Sequence, residues 1–229
     1  MTTTPPLRAL VSRAALRRNA RRALGSAGED AAADLRRDAW GHGIALVAPA
    51  LREAGVHRAL ADDADAPALA SRGMTRAEDA RAVLDAGLLY GLPGSGGEPV
   101  MRLLGRVLSL KALLAGEGVS YNYAHIAPRD TRIALVTGGF GQGVSRAIGN
   151  HARVEVRGAL APIVGRVAMD VCVVDVGALP EVERGDDVVY FGGDGPARDG
   201  LADWADASGL TAAELVCAVG LHSRREESA

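Results

Sequence analysis

The side chains able to do chemistry are few, and their spacing excludes more than it permits. Lys111 is the single lysine and every other basic residue is arginine. A guanidinium stays protonated and does not act as an amine nucleophile, so imine chemistry has one side chain to draw on. Cys172 and Cys217 stand 45 positions apart in apolar surroundings with no Cys-x-x-Cys, which reads as two reduced core thiols rather than a zinc or redox motif. The five histidines, His42, His57, His125, His151 and His222, show no metal-ligand spacing. Gly138-Gly139-Phe140-Gly141-Gln142-Gly143 follows an apolar run, but its glycines do not fall in the Gly-x-Gly-x-x-Gly register of a dinucleotide site. Three polar-to-apolar blocks remain: Gly116–Tyr121, Ala127–Val136 and Pro162–Asp170.

These residues need elements to position them. Before them, residues 8–12 read as extended, with a helix over 13–24 capped by Ser12. An apolar run at 31–35, a polar junction and a helix over 44–54 ending at Gly55 follow. This strand–helix rhythm suggests a parallel α/β layer. A further helix is expected over 76–86. Gly91–Pro99 lacks a following Gly-Lys-Ser/Thr and has Pro99 against an immediate helix, so it reads as a domain linker. Beyond it, strands recur at 103–110, 132–137, 153–157, 161–167, 171–176 and 187–191, a spacing that suggests a compact β-barrel or sandwich. Helical character closes the chain near 201–207 and 211–219. No internal repeat is visible.

The chain has 229 residues, of which 48% are hydrophobic and 24% charged, the composition of a soluble globular protein. A net charge of −2 offers no basic field on the scale that nucleic acid requires. No apolar segment approaches the roughly 18 residues of a membrane helix, and the start of the chain lacks the apolar core of a signal peptide. Arg8, Arg13, Arg17, Arg18, Arg21 and Arg22 read as the wet face of an amphipathic helix. Cytoplasm is the expected location.

The three spaced blocks, with Gly-Val-Ser-Tyr at 118–121 and Met-Asp at 169–170, closely resemble the C-terminal β-domain of alanine racemases over about residues 99–220. That resemblance implies a pyridoxal-phosphate enzyme interconverting L- and D-alanine, in which the cofactor acts as electron sink on a lysine Schiff base. It places Tyr121 at the family's catalytic tyrosine, which serves the active site of a partner subunit. A tyrosine titrates near 10 unless cationic or hydrogen-bonding neighbours tune it. Met169 and Asp170 match the pair whose methionine contacts substrate.

The first half departs from the family. Asp38-Ala39-Trp40-Gly41-His42-Gly43 resembles the cofactor segment, but Arg36 holds the lysine position and Trp40 a tyrosine position. Lys111 matches a non-catalytic lysine of the β-domain. Phe140 replaces a phenol, Ala213 replaces the tyrosine before Glu214, and Asp85 lies where an arginine should precede Leu88–Gly91, a segment like the one that cradles the cofactor phosphate. An eight-fold barrel needs about 200 residues, and too few precede the β-domain for more than three or four strand–helix units. The expected fold is therefore α+β in two domains: residues 1–97 as a truncated remnant of a (β/α)8 barrel, and 98–229 as an all-β, barrel-like domain. Covalent pyridoxal phosphate is not expected, and racemase activity should be lost or severely impaired. Three functions remain in play: a disabled racemase relative, a non-catalytic partner or regulator of a full-length racemase (as homodimer or heterodimer), and a small amino-acid site without Schiff-base chemistry.

Overall fold

The structure is a computed structural model in which residues 4–28, 30–78 and 82–228 are described, the side chain of Tyr121 excepted. The chain divides into two compact units, one of Ala9–Met101 with Arg225–Ala229 and the other of Met1–Arg8 with Arg102–Arg224.

In the first of these units, strand β1 (Arg8–Ser12) leads into the helix Arg13–Ala27, where the Ser12 hydroxyl accepts the amide of Ala15 and Gly28 ends the helix at φ 92°. Capping here follows the residue chemistry: a short side-chain oxygen meets an amide that has no intrahelical partner. Strands β2 (Ala32–Asp34), β3 (Arg58–Leu60) and β4 (Thr75–Arg76) pair in parallel, with Asp34 opposite Leu60, and Val83 adds a parallel bridge to Ala32. All three residues of β2 are buried, as expected of a parallel strand covered on both faces. Leu16 and Ala20 of the first helix pack with Leu35, Val47 and Leu51, the last two from the helix Ile44–Glu53.

One expectation for this half needs correction. Residues 76–86 are not a helix: β4 ends at Arg76, Val83 is in a β-bridge, and the helix starts only at Ala86, running to Tyr90. The Asp85 carboxylate caps it at the Leu88 amide, 3.0 Å away, and a charge pattern alone does not tell such a cap from an outward helical face. Residues 79–81 of that expected helix lie outside the described set. The glycine-rich stretch 91–99, expected as a domain linker, ends just before the division between the units at Met101 and is hydrogen-bonded within its own unit. Asn19, fully buried, accepts the amide of Glu98 at 2.9 Å and donates to its carbonyl at 2.8 Å. Arg18 pairs with the Glu98 carboxylate, and Arg22 donates to the Gly96 carbonyl at 2.7 Å. Gly91, at φ 62°, leaves no room for a Cβ against the Glu98 carbonyl.

The other unit starts with β5 (Met101–Leu113). A short hairpin of β6 (Gly118–Val119) and β7 (His125–Ile126) follows, and then β8 (Thr131–Thr137), β9 (Arg153–Val156), β10 (Ala159–Val164), β11 (Val171–Asp175) and β12 (Asp187–Phe191). Neighbours run in the order β12-β9-β10-β11-β8-β5, and β12 pairs back onto β5, closing a six-stranded antiparallel barrel. Closure removes the sheet edges that would otherwise invite other strands. The helices Gly200–Ser208 and Ala212–His222 follow. Trp204, fully buried, meets Tyr190 and Phe191 edge-on at 5.7 and 5.4 Å. The terminal strand β13 (Arg224–Ser228) lies beside β1 in the sheet order; its charged sequence gave no apolar alternation by which to expect it.

Candidate functional site

The sequence places its candidate residues in both units, and each set is described within its own unit. In the barrel unit, hydrogen bonds bring the three blocks together: the Gly116 amide donates to the Ala127 carbonyl and the Ala127 amide to that of Glu117, both at 2.9 Å. Ser120 donates its hydroxyl to the Arg166 carbonyl at 3.0 Å and accepts the Arg166 amide at 2.7 Å. This fixes the backbone just before Tyr121, which opens a 3-10 turn, Tyr121–Tyr123. The side chain of Tyr121 lies outside the described residues. Three residues beyond Arg166, the Met169 carbonyl accepts the amide of Gly141 at 2.8 Å, and the Asp170 carbonyl accepts that of Gly138 at 3.1 Å. Gly139 has to be glycine here, because a Cβ would run into the Met169–Asp170 peptide. Met169 itself is 58% exposed and Asp170 is exposed. The glycine-rich segment 138–143 is a 3-10 turn over Phe140–Gln142 closed by Gly143 at φ 84°, so its glycines serve this loop contact. Arg146 stacks its guanidinium over the Phe140 ring at 5.1 Å.

Beside this loop cluster an open groove of about 630 Å3 is lined by Ile126, Arg129, Asn150, Ile163 and Asp175, among others. Asn150, in its lining, accepts the Gly165 amide at 2.6 Å and donates to the Ala124 carbonyl at 3.3 Å.

In the α/β unit the carboxyl end of β2 carries the segment that matters most. Open sheets and barrels of parallel strands place ligands at that end. Here Asp34 is buried, and Arg36 folds back on it: Nε reaches Oδ1 at 2.9 Å, Nη2 reaches Oδ2 at 2.6 Å, and the Arg36 amide adds a third bond to Oδ1 at 3.1 Å. Burial pushes the Asp34 carboxyl up, but the hydrogen bonds and charge of Arg36 outweigh it and leave it below the usual carboxylate value. The bond to Asp34 in turn holds the Arg36 guanidinium above its ordinary range. Asp34 was not among the residues singled out from the sequence; an acid inside the apolar run 31–35 was the available signal.

Next comes a left-handed turn of residues that are not glycine: Arg37, Asp38, Ala39 and Trp40 have φ between 53° and 56°. Each such residue costs about 1–2 kcal/mol, so neighbours must hold it. The Arg37 amide donates to Asp62 at 2.9 Å, Asp38 accepts the Ile44 amide at 2.7 Å and forms an ion pair with Arg225, and the buried ring of His42 meets the carbonyls of Ala39 and Trp40 at 3.0 and 3.1 Å. Tyr90 stacks on both His42 and Trp40, at 4.4 and 5.4 Å, and donates its hydroxyl to the Asp34 carbonyl at 2.8 Å. Burial above all lowers His42 to about 4, so its ring is neutral, and Nε2 is buried with no hydrogen-bond partner among the described residues.

A carbonyl cofactor held as a Schiff base needs a neutral primary amine at this strand end. The residues present do not fit that requirement: position 36 offers a bidentate guanidinium, and the Tyr90 hydroxyl is committed to backbone. Lys111 is exposed on β5 of the barrel unit, opposite Ile133. Among the described residues no group of three or more His, Cys, Asp or Glu could hold a metal ion, and no helix is long and apolar enough to cross a membrane.

An antiparallel β-barrel preceded by a parallel α/β unit, with its loops gathered around a Ser-Tyr turn and a Met-Asp turn, defines a class in which comparison with known proteins is direct. Residues 100–227 match the alanine racemase C-terminal domain family, and the chain belongs to it. The alanine racemase of Chlorobaculum tepidum is 40% identical over 127 residues, 56% of this chain and 32% of that protein. That of Mycobacterium tuberculosis is 40% identical over 119 residues, 52% of this chain and 31% of that protein. The matches thus take in about a third of the length of these curated relatives. Among solved structures, alanine racemase from D-cycloserine-producing Streptomyces lavendulae aligns with a TM-score of 0.84 at 19% identity, over 100% of this chain and 98% of that one. The Bartonella henselae enzyme, solved with covalently bound pyridoxal phosphate, aligns with a TM-score of 0.76 at 16% identity, over 98% of this chain and 100% of that one. At these identities the structural likeness is one of fold.

Proposed function

We propose that this chain is an alanine racemase relative of D-alanine metabolism that no longer performs Schiff-base chemistry. The observation that carries this reading is Arg36 at the family's lysine position, bound bidentately to buried Asp34. An arginine cannot condense with an aldehyde under physiological conditions. Trp40 stacked on Tyr90 and Phe140 under Arg146 support the same reading, since each stands where relatives carry a phenol. In this proposal the three short parallel strands are what remains of a (β/α)8 barrel, the protein works in the cytoplasm, and Tyr121, Met169 and Asp170 mark an inherited site. The test is incubation with pyridoxal phosphate, borohydride reduction and peptide mapping, followed by an assay for D-alanine. No adduct and no turnover are expected, and turnover comparable to an intact racemase overturns the proposal.

A second reading is favoured by the hairpin region of the barrel unit, where Leu114, Tyr123 and Ile126 are 55%, 71% and 60% exposed. In that reading the chain docks through its β-domain on a full-length racemase, or on a second copy of itself, and regulates or completes a site there. Apolar side chains exposed close together mark such surfaces. Co-purification with a full-length alanine racemase tests it; failure to associate at micromolar concentrations removes it.

A further inference from the structure

Position 36 is controlled by its neighbour. The Asp34 side chain is 8% exposed while that of Arg36 is 59% exposed. The carboxylate is therefore the member with no solvent to fall back on, and a buried carboxylate demands a cation or a proton. We propose that Asp34 is a positioning residue that holds whichever cationic side chain stands at position 36, so that an amine restored there would be kept as an unreactive ammonium. This inference rests on the reading of the chain as a racemase relative without Schiff-base chemistry, and adds that returning a lysine to position 36 does not by itself undo the loss.

The surroundings agree. Besides Asp34, the charged group acting on Arg36 is Asp62, just past β3, whose carboxylate also holds the Arg37 amide. Asp34 is further bonded by the Trp40 side chain, and its carbonyl by the Tyr90 hydroxyl. Among the described residues, Arg36 is the cation bonded to the Asp34 carboxylate. An opposite charge within about 4–6 Å stabilises the charged form of an amine by about 1–3 pH units. Nucleophilic attack on an aldehyde needs the lone pair that protonation removes.

The experiment compares Arg36→Lys with Arg36→Lys/Asp34→Asn in the full chain. The amine introduced at position 36 is tagged by reductive methylation with 13C-formaldehyde and titrated by NMR, which reads its protonation whether or not cofactor binds. The expected result is a pKa at least about one unit higher when Asp34 is present. At a fixed pH near 8 this means about tenfold less neutral amine and, under brief exposure to pyridoxal phosphate, about tenfold less borohydride-trapped adduct at position 36. Should the asparagine variant fold poorly, Asp34→Ser takes its place, removing the charge with a smaller side chain. Equal titration with and without the carboxylate overturns the inference. A wild-type chain that carries reducible pyridoxal at Lys111 would instead overturn the underlying reading, and mapping the labelled peptide separates the two failures.

Discussion

Asp34 and His42 are two buried polar residues on one short segment, and they respond oppositely to losing their surroundings. Removing the cation from Asp34 leaves a carboxylate stranded. Arg36→Leu is expected to destabilise the chain by about 1–3 kcal/mol near pH 7, the cost of an unsatisfied buried group, read from chemical denaturation. The loss should shrink in acid, once the unpaired carboxyl takes a proton. His42 resists protonation in the fold, titrating near 4 because it is buried, whereas an unfolded histidine titrates near 6.5. Between those values the unfolded chain binds a proton that the folded chain refuses. Stability is therefore full above about pH 6.5 and falls as pH drops toward 4, by about 3 kcal/mol in all. Urea titrations across that window should show the slope in wild type and lose most of it in His42→Phe. Cys172 belongs with these residues: burial raises its thiol to about 11, so in the native protein it should not react with a thiol reagent until the chain unfolds.

At the scale of elements, two turns set the geometry of the candidate residues. The left-handed turn at Arg37–Trp40 depends on Asp38, which holds the Ile44 amide and Arg225. Asp38→Ala is expected to cost about 2 kcal/mol, the range of a lost cap, and to lower the thermal midpoint accordingly. The other turn is built around Gly139. Gly139→Ala would put a methyl group into the Met169–Asp170 peptide, so the loop contact should open; backbone amide exchange at Gly138 and Gly141 should then speed up while the barrel strands stay protected. The helix Ala212–His222 has a simpler device, a reciprocal cap in which the Thr211 hydroxyl accepts the Glu214 amide at 3.3 Å and the Glu214 carboxylate accepts the Thr211 amide at 2.8 Å. Six barrel strands and helical character near 211–219 are legible in the sequence, because β-branched and apolar runs act locally. The helix expected over 76–86 was not there, since its charge spacing suits a loop and a cap equally well.

At the scale of the whole molecule, each unit has its own core and its own share of the candidate residues. The barrel unit carries the three blocks that resemble the family, in a closed sheet. The α/β unit carries the departures: Arg36 on Asp34, and Trp40, His42 and Tyr90 stacked together. An active racemase needs both sets working. A single-residue repair is therefore expected to be insufficient, and the wild-type chain should neither take up pyridoxal phosphate covalently nor form D-alanine.

The sequence alone determined what this chain lacks, because a residue's chemistry travels with its identity: the one lysine is Lys111, so none stands in the segment that resembles the family's cofactor segment. It also determined the barrel's strands, while the choice between barrel and sandwich rests on the long-range pairing of β12 with β5. What only the tertiary structure decided is why position 36 tolerates arginine. The answer lies in the solvent exclusion of Asp34, and burial is a property of everything packed around a residue rather than of the residue itself.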